Sequence, residues 1–317
     1  MELWHLRYFI AVAEEKHITR AAERLGMQQP PLSQRIKAIE RELDVQLFRR
    51  KARGVELTDA GQAFLDNARA VLAQLDRTFE ATRRTARGEE GEISVGIVPT
   101  GPFHPFIPRA IRAFREAYPQ VQLRLEERLG VELIDLLRKG QIDAAFIRTP
   151  VADQGDLVIN PLLEEPMIVA LPSGHPLARS GGQRGVLLKD LARETFISYR
   201  PLGTGLNAVA MAACGAAGFT PHIGQEAPRV VSALSLVAVG LGVSLVPASL
   251  QHLHMDGVTY RRLGGSVQPR TPLDLVSRRG DPSAVVRHFV ALVKSAAKSF
   301  RAEKSKVERG APNRDIA

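Results

Sequence analysis

The chain of 317 residues contains one cysteine, Cys214. That excludes an intrachain disulfide and any thiol-built metal cluster. No apolar run reaches the roughly 18 residues that a membrane span requires. The N-terminus, MELWHLRYF, has no cationic stretch followed by an apolar one, so no export is expected and the cytoplasm is the expected compartment. There is no G-x-S-x-G nucleophile elbow. Gly240-Leu241-Gly242 lacks the third glycine of a dinucleotide loop and precedes a strand pattern instead of following one. His252 and His254 stand without further ligands, so neither a metal nor a cofactor is expected. Cys214 lies among Ala212, Ala213 and Ala216 in a helical pattern and reads as a small apolar core residue. No internal repeat or low-complexity block is present. These absences leave no catalytic constellation, and an enzyme is not expected.

What is present begins with length and charge. The chain is too long for one typical domain, and two or three are expected. The net charge of +9 suits a polyanionic partner. The stretch from Ile18 to Leu43, ITRAAERLGMQQPPLSQRIKAIEREL, holds the rest together. Ala21, Ala22 and Leu25 are at helical spacing, and Gly26 supplies the left-handed turn that ends the helix. Pro30 and Pro31 suit the first turn of a second helix. In it Leu32, Ile36, Ile39 and Leu43 form one apolar stripe, while Ser33, Gln34, Arg35, Lys37 and Arg41 lie off it. Leu3, Leu6, Phe9, Ile10 and Ala13 predict a helix that packs behind the pair. This is the pattern of a helix-turn-helix; a helical hairpin with a solvated charged face is the plainer alternative. Glutamine pairs adenine and arginine pairs guanine in two-pronged fashion. Gln29, Ser33, Gln34, Arg35 and Lys37, with Pro30 and Pro31 at the helix start, are therefore the candidate DNA-binding residues.

After Leu43, the turn signal Arg53-Gly54 and the alternation of Val55 and Leu57 predict a hairpin. Its cations Arg49, Arg50, Lys51 and Arg53 suit phosphate or minor-groove contacts, with Arg50 and Arg53 the leading candidates. Thr58 is a good N-cap for a helix running to about Ala86. Its stripe of Phe64, Ala68, Val71, Leu72, Leu75 and Phe79 suits a dimer seam, or else docking on the chain's own C-terminal part. Gly88-Glu89-Glu90-Gly91 reads as a hinge.

From Glu92 strand and helix patterns alternate, which predicts α/β units around a mainly parallel sheet. Ligands of such sheets sit beyond the carboxyl ends of strands. Strand Ile93–Val98 leads into Pro99-Thr100-Gly101, strand Thr195–Ser198 into Tyr199-Arg200-Pro201-Leu202-Gly203-Thr204-Gly205, and Arg148 follows strand Asp143–Ile147. Both loops run into helix starts, where backbone N–H groups favour anions. Pro99, Thr100, Gly101, Arg148, Pro201, Gly203 and Thr204 are therefore expected to receive a carboxylate. The alternative is that Thr100 and Thr204 only cap helices and Arg148 makes a surface ion pair. Arg301 to Ala317 is polar and patternless, and a loose tail is expected.

The N-terminal residues closely resemble the LysR-type transcriptional regulators. The matching motifs are Ala21, Ala22 and Leu25; Gln29, Pro30, Leu32, Ser33, Ile36, Ile39 and Glu40; Leu47, Phe48 and Arg49; Leu57, Thr58, Ala60 and Gly61. Gln28 departs from the pattern, since the family often carries a capping serine there. The resemblance continues to about Phe300. It implies an all-α winged helix-turn-helix over residues 1–58, a linker dimerisation helix over 59–87 and a hinge over 88–91. Beyond them it implies a periplasmic-binding-protein-like domain of two α/β subdomains, 92–160 with 266–300 and 161–265, then a flexible tail over 301–317. VGIVPTGPFHPFIP, QIDAAFIR and VAVGLGVSLVPASL look most like the branch that senses muconate, benzoate and related acids of aromatic catabolism. The implied partners are double-stranded operator DNA, a small organic-acid effector, RNA polymerase, and further copies of the chain in a homodimer assembling to a homotetramer, with no membrane. A solute-binding protein is the competing reading, because the C-terminal two-thirds alone would support it.

Overall fold

The computed structural model describes residues 1–148, 150–151, 154–179, 185–200 and 205–310, the last six by backbone only. It divides into two compact units, Met1–Thr85 and Ala86–Ala317. No described helix is long and apolar enough to cross a membrane.

The first unit begins with α1 (Leu3–Glu15), α2 (Ile18–Arg24) and α3 (Gln29–Leu43). Gly26 (φ 68°) makes the turn between α2 and α3, the left-handed conformation that glycine adopts without a Cβ penalty. Gln28 occupies the N-cap of α3 without a side-chain hydrogen bond, so the departure at this position leaves the helix start uncapped by its own residue. Phe9, Val12, Ala21, Leu32, Ile36 and Ile39 are buried in one small core. Leu43, the last residue of the expected stripe, remains exposed. The wing is β1 (Phe48–Lys51) paired antiparallel with β2 (Gly54–Leu57). Glu40 holds its base: the N–H groups of Leu47 and Phe48 donate to Glu40 Oε1 at 2.8 and 3.1 Å. Thr58 caps α4 (Asp59–Arg87), accepting from Gly61 N–H at 2.9 Å. A Cβ on Gly61 would collide with the Leu47 carbonyl, so the motif glycine lets the helix lie against the wing.

The second unit starts with β3 (Glu90–Ile97), so Glu90 and Gly91, expected in the hinge, are already strand and pair with Gln120 and Val121. Next come α5 (Phe106–Ala117), β4 (Gln120–Glu127), α6 (Gly130–Arg138) and β5 (Ala144–Ile147). β3 pairs parallel with both β4 and β5. β6 (Leu157–Pro172) is one continuous strand that serves both subdomains, followed by α7 (Pro176–Arg179), β7 (Val186–Leu187), β8 (Thr195–Tyr199), α8 (Gly205–Ala216), β9 (His222–Ala227), α9 (Val230–Ala238), β10 (Ser244–Pro247) and β11 (Val258–Gly264). β12 (Arg270–Arg278) returns the chain to α10 (Ala284–Gly310). Leu157 to Pro166 of β6 pair antiparallel with β12, while Met167 to Pro172 pair antiparallel with β10 and β11. The change of partners therefore falls near Pro166 inside an unbroken strand, not at a break after Asn160. β12 is antiparallel to β5 as well, so the sheet is mixed and not mainly parallel as expected, because β6 and β12 cross between the two subdomains in opposite directions. Pro161 has no N–H to donate; it sits where the register against β12 shifts, so the ladder loses little there.

The tail expectation fails over its first ten residues. Arg301–Gly310 continue α10, because alanine, glutamate, lysine and arginine are strong helix formers even without an apolar face. Within this stretch Arg109 pairs with Glu303 at 3.1 Å. Residues 311–317 lie outside the described set.

Candidate functional site

The candidate DNA-binding residues of the first unit lie on α3 and the wing. Gln29, Pro30, Pro31, Gln34, Arg35 and Lys37 are exposed and Ser33 is half-buried. At 100° per residue, Gln34 and Lys37 lie opposite the buried Leu32–Ile36–Ile39 stripe. Arg35 lies on the flank towards α1, with its guanidinium carbon 4.0 Å from the Trp4 ring centroid. On the wing the four cations separate into two kinds. Arg49 and Lys51 are ion-paired to Glu56, whose carboxyl they hold below the usual carboxylate range. Arg50 and Arg53 are exposed, and neither is in an ion pair among the described residues.

The expected seam on α4 divides. Ala68 is buried, and the half-buried Phe64 ring packs edge-on against Phe9 of the head's core at 4.7 Å. Phe64 falls in the first turns of α4, where it packs on α1. Val71 and Phe79 are exposed, and Leu72 and Leu75 are half-buried.

In the second unit Val98, Pro99, Thr100 and Arg148 meet Tyr199, Arg200, Gly205 and Asn207 around a cleft with a cavity volume of about 70 Å³. The carboxyl ends of β3, β5 and β8 all open into it. Arg148 is not a surface residue, being 2% exposed. Its Nη2 contacts Glu165 Oε1, while Nε and Nη1 have no hydrogen-bond partner. Burial pulls the Arg148 pKa below its ordinary value, against the opposing pull of Glu165. Glu165 accepts from Ser249 N–H at 2.8 Å and Ser249 Oγ–H at 3.1 Å. Thr100 is 4% exposed and caps nothing; its Oγ1 also has no partner. A buried cation and a buried hydroxyl with unused hydrogen-bonding capacity suit an anion, since an unpaired buried polar group is costly.

Other expected features differ. A 3-10 turn, Gly101–Phe103, follows Thr100, and α5 begins only at Phe106. Gly101 N–H is committed to Val98 O at 2.7 Å, and Gly101 does not line the cleft. A Cβ there would collide with Ile97, so its smallness serves packing. Pro201, Gly203 and Thr204 lie outside the described residues. Several cleft residues escaped sequence reasoning. Tyr199 OH donates to Leu245 O at 2.9 Å, and burial pushes its pKa up. Asn207 Nδ2 donates to the Tyr199 carbonyl at 2.9 Å and to Ser198 Oγ. At the mouth, Arg229 before α9 pairs with Glu127 at the end of β4, 2.8 Å apart. Of these, only Tyr199 lies in a loop that the sequence singles out, and it is not among the expected ligand contacts.

Cys214 is fully buried, and burial pushes its thiol pKa up to about 11, which keeps it protonated. Among the described residues no group of three His, Cys, Asp or Glu could hold a metal ion.

Two family descriptions match. "Bacterial regulatory helix-turn-helix protein, lysR family" covers residues 3–62, and "LysR substrate binding domain" covers residues 86–298. The HTH-type transcriptional regulator AlsR of Bacillus subtilis is 37% identical over 291 residues, 92% of this chain and 94% of that protein. A probable cat1 operon transcriptional activator of Acinetobacter lwoffii is 33% identical over 307 residues, 96% of this chain and 97% of that protein. Among solved structures, full-length CbnR complexed with its target DNA superposes with a TM-score of 0.80 at 29% identity, covering 94% of this chain and all of that one. Head, linker helix and two-part ligand-binding unit thus agree with their relatives over almost the whole chain, which belongs to the LysR family of DNA-binding transcriptional regulators.

Proposed function

We propose that the chain controls a catabolic operon in response to a small organic acid, aromatic or dicarboxylic, whose carboxylate is held in the cleft by Arg148 and Thr100. The observation that carries this reading is the burial of the Arg148 guanidinium with two nitrogens unpartnered beside an unpartnered Thr100 hydroxyl. A carboxylate there gains charge-assisted hydrogen bonds, about twice as strong as neutral ones. Cleft closure favours one subdomain arrangement, and a ligand shifts that balance only by its differential affinity for the two states. Operator control is supported by the DNA complex of CbnR and by the operon named for the Acinetobacter relative.

On this reading Gln29, Ser33, Gln34, Arg35 and Lys37 meet base edges and phosphates, and Arg50 and Arg53 meet the backbone beside them. Val71, Leu72, Leu75 and Phe79 form the dimer seam, effector units join dimers into a tetramer, and RNA polymerase is the downstream partner in the cytoplasm. The test is a thermal-shift screen of small aromatic and aliphatic acids on wild type and Thr100→Val. At a hundredfold excess over its Kd, a true effector adds about 2.7 kcal/mol of stability. The reading predicts such a shift for an acid in wild type and its reduction in Thr100→Val. A shift produced only by neutral or cationic compounds would overturn it.

A further inference from the structure

We infer that Trp4 is a positioning residue for DNA reading: its indole face orders Arg35, so that the arginine meets DNA in a preset conformation. The inference rests on the reading that Arg35 touches DNA. The guanidinium carbon stands 4.0 Å from the Trp4 ring centroid. Trp4 is braced in turn by His5 and Tyr8, with ring centroids at 3.6 and 5.2 Å. α1 carries all three and is anchored by buried Phe9 and Val12.

The choice of partner has a chemical consequence. Arg24 and Arg69 of the same unit are held by carboxylates, as are Arg49 and Lys51. Arg35 is exposed and is in no ion pair among the described residues. A carboxylate would order the side chain but neutralise it and occupy the N–H edge that phosphate or guanine needs. An aromatic face engages only the flat surface of the guanidinium, leaving the charge and the in-plane donors for DNA. Arginine carries about 2 kcal/mol of rotamer entropy, so ordering it beforehand strengthens binding without adding a contact to DNA.

The test uses the full-length protein and a fluorescent duplex from its own promoter region, across a salt titration. Trp4→Leu keeps apolar bulk without a π face, and Trp4→Phe restores one. Trp4→Leu should weaken binding about two- to five-fold per DNA-reading head with an unchanged salt slope, because no charge is lost. Trp4→Phe should recover most of that loss, with thermal midpoints near wild type throughout. Arg35→Ala should weaken binding further, and Trp4→Leu with Arg35→Ala should be no worse than Arg35→Ala alone, the non-additivity of a coupled pair. Trp4 is the sole tryptophan, so Arg35→Ala should also shift the emission of the free protein. Wild-type affinity and slope in Arg35→Ala would remove Arg35 from the DNA and the underlying reading with it. A weakened Arg35→Ala beside a harmless or strictly additive Trp4→Leu would overturn the positioning role alone.

Discussion

Replacing Arg148 and Glu165 together should leave the effector unit at least as stable as wild type, whereas replacing either one should not. Both side chains are almost wholly buried, at 2% and 6% exposure. Nε and Nη1 of the arginine have no partner, and each unsatisfied buried donor costs about 1–3 kcal/mol. Glu165 is better served, with two hydrogen bonds from Ser249. Arg148→Met removes the arginine's penalty but strands the glutamate charge; Glu165→Gln strands the guanidinium. Breaking a buried pair from one side costs about 3–5 kcal/mol, while replacing both partners ranges from neutral to about 1–4 kcal/mol stabilising. At about 2–4 °C per kcal/mol for units of this size, each single variant should melt roughly 6–20 °C lower, and Arg148→Met with Glu165→Gln should melt within a few degrees of wild type or above it. Calorimetric melts of the full-length protein without ligand measure all three. A double variant that falls by the sum of the singles would mean that Arg148 and Glu165 are not coupled, and the account of them as one buried pair would fail.

Arg53→Ala should weaken binding to every DNA sequence and reduce the slope of log K against log salt by about 0.9; an unchanged slope in a gel-shift titration would place Arg53 off the phosphates. Leu75→Asp should dissociate the dimer, because a charge buried unpaired in an apolar seam is heavily penalised; unchanged mass in analytical ultracentrifugation would refute the seam. His104 is buried, and desolvation, aided by Arg148 and Lys304, lowers its pKa to about 4. Because the folded pKa lies below the ordinary 6.5, the unfolded chain binds the proton first as pH falls, and stability present above pH 6.5 is lost between there and pH 4. The loss from pH 7 to 5 should be about 2 kcal/mol, read as a falling melting midpoint that His104→Asn flattens; an equally steep fall in that variant would assign it to other groups.

The head was legible because its signals are local. The Leu32–Ile36–Ile39 stripe, the stop at Gly26, the Thr58 cap and the Arg53-Gly54 turn each act within a few residues, and each lies in the structure where periodicity and turn chemistry put it. The alternating strands and helices of the second unit were legible for the same reason. Non-local facts were not. Nothing near Phe64 says that α1 will meet it, since a seam and a core present the same stripe. That β6 runs unbroken through Pro161 depends on a register shift against its partner, β12. Arg148 was placed at the right strand end, but its burial against Glu165, on the next strand β6, required the fold. The Arg229–Glu127 pair joins elements about a hundred positions apart, which no window of sequence contains.

The most direct test of the cleft is isothermal titration of the acid that emerges from the thermal-shift screen into wild type and into Arg148→Met with Glu165→Gln, the variant expected to stay folded. Two charge-assisted hydrogen bonds lost at a buried site should cost about 2–5 kcal/mol, a fall in affinity of roughly thirty-fold or more. Binding at wild-type affinity in a folded variant would put the ligand elsewhere and contradict the assignment of this cleft.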